Sequence, residues 1–352
     1  MASALLAYAQ THKTSGKDFL LAFIVGIESE CRIGNAVFPD HYDRGWHITG
    51  TTGVFGAAIA IAKLMHASHE QITHAIGIAA SQPVGLRDQF GTMTKSFHPG
   101  RAAQNGLLAA MLASKGYTSS NQALEAPRGW AHVLSDKQSW TEITDGLGTR
   151  WETSLNSFKP FACGIVLHPL IDACIQLRKE NTLDATKLAE IKSIECSVHP
   201  LVLELTGKLT PQNGLEGKFS YTHAAAAALV NGKAGEAEFD DTFVVSSSIT
   251  SIRSRVHATV DKSLSSDAAK VRITMQNGDT FDKVVEHALG SADVPLTDAQ
   301  LAAKFMDLVE PILGRNAAEQ VLASCWHLED LKDVSCIATQ SIPTQNHDDR
   351  HF

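Results

Sequence analysis

The chain has 352 residues, of which 44% are hydrophobic, and carries a net charge of −8 with an isoelectric point near 6.0. This length and composition are typical of a globular protein with a large core, and they favour two domains over one. The acidic balance excludes a general attraction to nucleic acid or to an anionic membrane, so an anionic ligand would need a local basic pocket. We therefore expect neither nucleic acid nor a membrane as a partner.

The cysteines and the N-terminus bear on location and metal binding. None of the six cysteines forms a C-x-x-C pair, which argues against a zinc ribbon or an iron–sulfur ligand set. The apolar run at residues 20–27 is too short to cross a bilayer, and no basic segment precedes it. We expect an intracellular, cytoplasmic protein with reduced thiols and no bound metal; a longer N-terminus would leave a mitochondrial location open.

The first half of the chain is predicted to be helical. Ser15 and Ser68 stand where N-caps would begin helices, and Pro99 is placed where a first helical turn tolerates proline. Small apolar residues occupy nearly every face of helical segments in this half, which is typical of helices buried in a helical domain. These signals predict helices over residues 19–33, 72–80 and 101–114.

The middle of the chain changes character. Residues 191–198 alternate imperfectly but are rich in β-branched side chains, which favours a strand. Residues 271–275 and 280–284 flank an Asn-Gly pair, a strong hairpin signal. After this α+β region, residues 297–300 resemble a cap for a helix over residues 301–309.

These elements predict an α+β protein with two domains. A large helical domain is expected from residues 1–150 and 290–340, and an α+β domain from residues 151–289. Residues 34–45 and 209–217 are predicted to be loops. The polar residues 341–352 are expected to form a loose tail.

Three neighbouring segments combine basic side chains with Gly- and Thr-rich backbone. Residues 44–53 are RGWHITGTTG, residues 90–95 are FGTMTK, and residues 98–106 are HPGRAAQNG. A histidine, a lysine and an arginine in such surroundings could bind a carboxylate-rich small molecule and move a proton on it.

Together with later motifs, these segments resemble the MmgE/PrpD family, which includes 2-methylcitrate dehydratases, cis-aconitate decarboxylases and an iminodisuccinate epimerase. The later motifs are KPFAC at residues 159–163, His-Pro at 168–169, and GKFS at 217–220 before an Ala-rich helix. The resemblance covers residues 15–330. It implies a helical domain with an inserted α+β domain, a cleft at their junction, and a homodimer.

The resemblance also implies roles for individual residues. A lone histidine is more often structural and a lone lysine more often solvated. The family motifs nevertheless indicate His47 as a general acid/base and Lys95 as a carboxylate-binding or basic residue. They place Lys159 and His168 in the cleft as well, so we expect His47 and His168 to share one cleft.

Further residues are candidates for substrate binding. His98 and Arg101 follow the predicted helix start, where the backbone favours an anion, although Arg101 could equally form a structural ion pair. His223 stands where many family members carry a tyrosine. Either the nearby Tyr221 supplies the phenol, or the substrate differs. Asp172 lies four residues after His168 and could orient its ring.

The reaction that the resemblance implies is a cofactor-independent lyase reaction on a citrate-like tricarboxylate. Dehydration of 2-methylcitrate or an alkylcitrate is favoured: cations neutralise carboxylates, one histidine removes a proton, and another protonates the departing hydroxyl. The alternative is a cis-aconitate decarboxylase type of reaction. A third hypothesis is a catalytically impaired homologue that acts as a scaffold or dimer partner.

This third hypothesis depends on the N-terminus. Family members normally begin with a further helical segment that carries an Asp/His-containing motif, and residues 1–352 contain no counterpart. On this basis we expect an unusually apolar surface beside residues 19–33 and 54–64, and weak or no activity.

Three motifs are interpreted as unrelated to function. Residues 50–56 resemble a phosphate-binding loop only superficially, because no Gly-Lys-Ser/Thr follows. Residues 40–43 and 347–351 contain metal-type ligands, but such runs in loops and tails are usually solvated.

Overall fold

The structure is a computed structural model that describes residues 1–343. The chain forms two compact units: unit 1 contains Met1–Asn156 and Val309–Phe352, and unit 2 contains Ser157–Leu308. Most of the predicted loose tail at 341–352 and the metal-type run at 347–351 lie outside the described residues.

Unit 1 is built from helices. Its chain enters at α1 and returns through the last helices of the sequence. The bounds are α1 Ala2–Ala9, α2 Gly16–Asn35, α3 Asp40–Asp43, α4 Ile48–Leu64, α5 His69–Ala80, α6 Met93–Ser114, α7 Trp130–Leu134, α8 Thr141–Thr144, α17 Arg315–Trp326 and α18 Ser335–Gln340, with single 3-10 turns at Arg87–Gln89, Glu152–Leu155 and Leu328–Asp330.

The predicted start signals of two helices are confirmed. The Ser15 hydroxyl accepts a hydrogen bond from the Asp18 amide at the start of α2. At the start of α5, Ser68 and Gln71 form a reciprocal capping box. Both arrangements satisfy amides that have no partner within the helix.

The predicted start of the third helix is wrong. The helix α6 begins at Met93, with Thr92 as an extended N-cap, and Pro99 lies inside it. His98 and Arg101 are therefore interior helical positions. The anion-binding argument from free helix N-terminal amides does not apply to them, because such amides occur only in the first turn.

The helix α4 forms the centre of unit 1. Its residues Val54, Phe55, Ala58 and Ile61 are fully buried, and they divide between two hydrophobic clusters of the unit. The expectation of an exposed apolar surface beside residues 54–64 is therefore wrong for α4. Residues 50–56, which resemble a phosphate-binding loop only superficially, belong to the same helix and do not form a loop.

Unit 2 is an α+β unit. Its sheet has the order β2-β1-β3-β4, in which β1 pairs parallel with β2 and antiparallel with β3. The bounds are α9 His168–Glu180, α10 Ala185–Ala189, β1 Ile191–Val198, α11 Pro200–Thr206, α12 Gly214–Gly217, α13 Tyr221–Asn231, α14 Asp241–Val244, α15 Ser247–Arg253, β2 Val256–Val260, β3 Ala269–Met275, β4 Thr280–Val285 and α16 Asp298–Leu313, with 3-10 turns at Ile165–Leu167 and Glu236–Phe239.

The strand predictions are confirmed. β1 has the predicted bounds, and β3 and β4 pair antiparallel around the Asn-Gly turn, where Gly278 has a φ of +93°. The buried sides of β1 and β3 form one hydrophobic cluster with α9 and α13. A mainly helical α+β fold is thus confirmed.

The predicted domain boundaries can be set beside the compact units. The first boundary was predicted after residue 150, and the compact units change after Asn156. The second was predicted after residue 289, whereas the compact units change within α16, after Leu308. The domain division stays a prediction.

All six cysteines are free thiols. Among residues 1–343, no helix combines the length and the apolar character needed to cross a bilayer.

Candidate active site

The candidate site residues of unit 1 meet where α4 begins beside α6. His47 is the N-cap residue of α4, and its amide donates to the carbonyl of Gly85 at 3.0 Å. His98 projects from α6, and the two Nδ1 atoms lie 2.9 Å apart. The structure therefore brings together two histidines that are 51 residues apart in the sequence.

Both histidines are buried, with 6% of His47 and 4% of His98 exposed. Burial, the positive charge of Lys95 and the neighbouring His98 lower the pKa of His47 to about 4. Burial and Lys95 also lower the pKa of His98. The pair is consequently neutral at pH 7, and one Nδ1 donates the shared proton while the other accepts it.

Lys95 completes this group, called here the histidine-pair group: His47, His98 and Lys95. The Lys95 ammonium lies 5.6 Å from the centre of the Phe90 ring, and the same ring meets His47 edge-on at 5.0 Å between ring centres. An ammonium beside two neutral imidazoles is suited to binding a carboxylate next to a proton donor and acceptor.

Arg101 lies outside this group. It is exposed on α6, and its guanidinium donates to the Gln104 side chain at 2.6 Å. Its predicted role in substrate binding stays a prediction.

Unit 2 holds a second group of candidate residues. His168 is the first residue of α9 and is only 2% exposed. Burial and the positive charges of Lys159 and Lys304 lower its pKa to about 3, against a backbone hydrogen bond with Cys163 that raises it. His168, Lys159 and Lys304 are called here the lysine group.

The lysine group contains one residue that the sequence did not indicate. The Lys304 ammonium, on α16, donates to the carbonyl of Lys159 at 2.6 Å. In the sequence Lys304 is a lysine on an amphipathic helix outside every quoted motif, and nothing distinguishes it from a solvated surface residue.

Asp172 does not orient His168. Its two carboxylate oxygens accept from the Gln176 side chain at 2.9 Å and from the Leu289 amide at 3.0 Å. Asp172 lies four positions after His168 on the same helix, but the backbone at Cys163 supplies the hydrogen bond to the ring.

Tyr221 and His223 belong to the core of unit 2. His223 is fully buried, its Nε2 bonds to the Glu238 carbonyl at 2.8 Å, and Phe239 meets its ring edge-on. Burial raises the pKa of Tyr221, whose phenol bonds to the backbone of Ala258. Both residues therefore serve packing in this structure, and their predicted contact with substrate stays a prediction.

One cluster among residues 1–343 has the composition of a metal site. Asp267, His287 and Asp293 bring one ligand atom each within 4.8 Å of one another. His287 Nδ1 lies 2.9 Å from Asp267 and 3.4 Å from Asp293, distances that an exposed histidine–carboxylate pair also adopts. The run of metal-type ligands at residues 40–43 forms no such cluster, because His41 is buried and its Nε2 is hydrogen-bonded to the Thr51 hydroxyl at 3.0 Å.

A hollow of about 940 Å³ lies elsewhere in unit 1. It is lined by the end of α5 and by residues 117–130, and it includes none of His47, Lys95 and His98. The histidine-pair group is therefore not part of this hollow.

The two groups contain what acid–base chemistry on an anionic compound requires: neutral imidazoles held by the fold, and ammonium groups close to them. The N-terminal domain of the MmgE/PrpD family matches residues 1–143, and its C-terminal domain matches residues 161–328. The chain belongs to the MmgE/PrpD family.

Several relatives are described as cis-aconitate decarboxylases. The protein of this name from Aspergillus terreus is 29% identical over 357 residues, covering 95% of this chain and 72% of the relative. A cis-aconitate decarboxylase-like protein, oryM, from Aspergillus oryzae is 28% identical, over 91% of this chain and 70% of the relative. The human cis-aconitate decarboxylase is 26% identical, over 95% and 70%.

Proposed function

We propose that the protein is a lyase for a citrate-like tricarboxylate, and specifically a carboxy-lyase for cis-aconitate or a close analogue. The observation that carries the proposal is the buried, neutral His47–His98 pair beside the Lys95 ammonium. The similarity to cis-aconitate decarboxylases moves the emphasis from the dehydration that the sequence favoured to decarboxylation.

In the proposed reaction, the Lys95 ammonium binds a carboxylate of the substrate as a charge-assisted pair beside His47. The bond from carbon to the third carboxylate breaks, and its electron pair delocalises over the adjacent double bond. A proton is then added to carbon at the other end of the allylic system. One tricarboxylate and one proton thus yield one unsaturated dicarboxylate and carbon dioxide.

The histidine pair is proposed as the source of this proton. The imidazole that accepts at Nδ1 carries its own proton on Nε2. A neutral imidazole is a weak acid, but a carbanion is a far stronger base, so transfer from Nε2 is favourable. His98 then acts as a positioning residue, because its Nδ1 determines which nitrogen of His47 holds a proton.

Dehydration of 2-methylcitrate or an alkylcitrate is the second candidate. It needs one group to remove a proton and another to protonate the departing hydroxyl. The presence of two imidazoles in one group, His47 and His98, supports this alternative. The two reactions differ in product, since only decarboxylation releases carbon dioxide.

The test is an assay of the purified 352-residue chain with cis-aconitate, citrate and 2-methylcitrate, following both carbon dioxide and alkene absorbance. We expect carbon dioxide from cis-aconitate. Replacing His47 by Asn should lower kcat by about 10²- to 10⁴-fold, the usual contribution of a general acid or base. The matched control is His69→Asn, an exposed histidine on α5, which should keep full activity.

Three results would contradict the proposal. Alkene formation from 2-methylcitrate without carbon dioxide would identify a hydro-lyase. Full activity of a folded His47→Asn variant would remove the histidine pair from the mechanism. A folded wild-type chain inactive on all three compounds would favour the scaffold hypothesis.

A further inference from the structure

The strongest unassigned feature is Lys304, in the lysine group of unit 2. Its ammonium donates to the carbonyl of Lys159 at 2.6 Å, which holds the end of this side chain against the backbone of the other lysine. The donor is half-buried, unlike most lysines of the chain. A flexible lysine is thus held in one place on the segment that leads to Cys163 and His168.

The charges of this group are not balanced by protein carboxylates. Both Lys159 and Lys304 lower the pKa of His168, and burial together with Lys159 lowers the pKa of Lys304 itself. Among residues 1–343, no carboxylate lies within 4.0 Å of either ammonium nitrogen. Like charges held close together are unfavourable unless an anion joins them.

A second observation points to a ligand at the same place. Only 2% of the His168 surface is exposed, and its Nε2 has no hydrogen-bond partner among the described residues. A buried polar atom without a partner is unfavourable by itself. A bound ligand with an oxygen near Nε2 would satisfy this atom and balance the two ammonium charges.

We propose that Lys304 is a substrate-binding residue, and that it and Lys159 together bind a carboxylate of the polycarboxylate substrate beside His168. The inference rests on the proposed function for the identity of the substrate. It adds a binding residue that lies outside the family motifs of the sequence. The ligand class that fits is a di- or tricarboxylate, because one carboxylate can accept from both ammonium groups.

The competing explanation is purely structural: Lys304 would only tie α16 to the backbone at Lys159. The two explanations differ in whether the positive charge of Lys304 contributes to substrate binding. Lys304→Gln keeps a hydrogen-bond donor and loses the charge, Lys304→Arg keeps the charge, and Lys304→Met loses both. Lys262→Met is the matched control, an exposed lysine of the same unit.

The experiment measures binding of tricarballylate, a saturated tricarboxylate, by calorimetry to the full-length chain and each variant. We expect Lys304→Gln and Lys304→Met to raise Kd by about tenfold to a hundredfold, as for loss of one charge-assisted hydrogen bond. Lys304→Arg should stay within about threefold of wild type, and Lys262→Met should not change Kd. In the same variants, the His168 pKa followed by NMR should rise in Lys304→Gln, because one neighbouring positive charge is removed.

The outcomes separate this inference from the proposed function. Tight tricarballylate binding that depends on the Lys304 charge, without turnover of cis-aconitate, would support the inference and reject the proposed reaction. Equal Kd and KM for wild type and Lys304→Gln would overturn the inference whatever the activity. Absence of tricarballylate binding by folded wild type would overturn it as well.

Discussion

At the scale of single residues, the contact between His47 and His98 is the most informative feature. Two imidazoles that meet through Nδ1 at 2.9 Å can hold only one proton between them while both are neutral. In this state the ring that donates at Nδ1 has a basic Nε2, and the ring that accepts at Nδ1 carries its proton on Nε2. The geometry therefore lets one pair serve as proton donor or acceptor.

The space for this pair depends on Gly85. A Cβ atom at this position would lie 2.8 Å from His98 Nδ1, and the backbone φ of +107° is unfavourable for any other residue. We predict that Gly85→Ala displaces the His98 ring and lowers activity at least tenfold, with a stability loss of about 1–3 kcal/mol from backbone strain. Steady-state kinetics and urea unfolding measure the two effects.

The Gly116→Ala variant separates the effect of backbone strain from the effect of displacing the His98 ring. Gly116 has a φ of +85° and open space around its Cβ position. This variant should lose a similar amount of stability and keep its activity. If Gly85→Ala were as active as Gly116→Ala, the importance of the histidine pair would be refuted.

His223 shows the limit of a motif read without its surroundings. Its position after a Phe-Ser pair indicated a substrate contact, which stays a prediction; in the structure the ring is enclosed by Glu238 and Phe239. A side chain at the start of a helix can point toward a ligand or toward the core, and the packing of the neighbouring 3-10 turn decides which.

At the scale of elements, the packing of α4 on α6 positions the histidine pair. The two helices approach closely because small residues face each other. A Cβ at Gly106 would lie 2.4 Å from Ala57 Cβ and 2.6 Å from the Val54 carbonyl. His98 precedes this contact by two turns, so the separation of the helices determines how far His98 lies from His47.

We predict opposite effects for two glycines of α6. Gly106→Ala should destabilise the protein by about 1–3 kcal/mol, because the added methyl group overpacks the helix contact. Gly100→Ala should stabilise it by about 0.5–1 kcal/mol, because Gly100 has open space around it and alanine is the better helix former. Chemical unfolding of both variants is the measurement, and equal effects would contradict the close packing.

The imperfect alternation of β1 has a structural explanation. The pairing with β3 shifts between Ile191 and Ser193, which is a bulge or irregularity in the ladder. An extra residue reverses the alternation, so that Ile191 and Ile194 are both buried. The imperfect alternation of apolar and polar residues is therefore that of a strand whose pairing is interrupted by a bulge or irregularity.

At the scale of the whole molecule, buried histidines make stability depend on pH. Burial lowers the pKa of His41 and His47 to about 4 and of His168 to about 3, from an ordinary value of 6.5. Between pH 6.5 and about 4 the unfolded chain therefore binds more protons than the folded one. Stability should fall with decreasing pH in this window, by up to about 1.4 kcal/mol per pH unit for each group.

One carboxyl group opposes this trend. Burial raises the pKa of Glu30 from 4.5 to about 7. The contribution of Glu30 to the stability of the fold therefore falls as pH rises between these values. Three histidines against one carboxyl leave a net loss of stability on acidification. We predict lower urea midpoints at pH 5 than at pH 7.

Two histidine variants test whether buried imidazoles cause the pH dependence of stability. His41→Gln removes one buried histidine and should reduce the slope of stability against pH, whereas the exposed His69→Gln should leave it unchanged. Equal stability at pH 5 and pH 7 in the wild type would show that these imidazoles are hydrated in solution.

The sequence by itself determined the local elements and the class of chemistry. The capping residues Ser15 and Ser68 and the Asn277-Gly278 turn act through backbone hydrogen bonds and φ angles of adjacent residues, so they are readable over a few positions. The motifs around His47, Lys95 and His168 likewise indicated a polycarboxylate and a proton transfer.

Only the tertiary structure decided which side chains meet. The pairing of His47 with His98 depends on the close approach of α4 and α6, and the approach of Lys304 to Lys159 joins residues 145 positions apart. Packing within unit 2 buries Tyr221 and His223, and α6 begins at Met93, before Pro99. Distances of this kind arise from the packing of whole helices, and no short sequence pattern contains them.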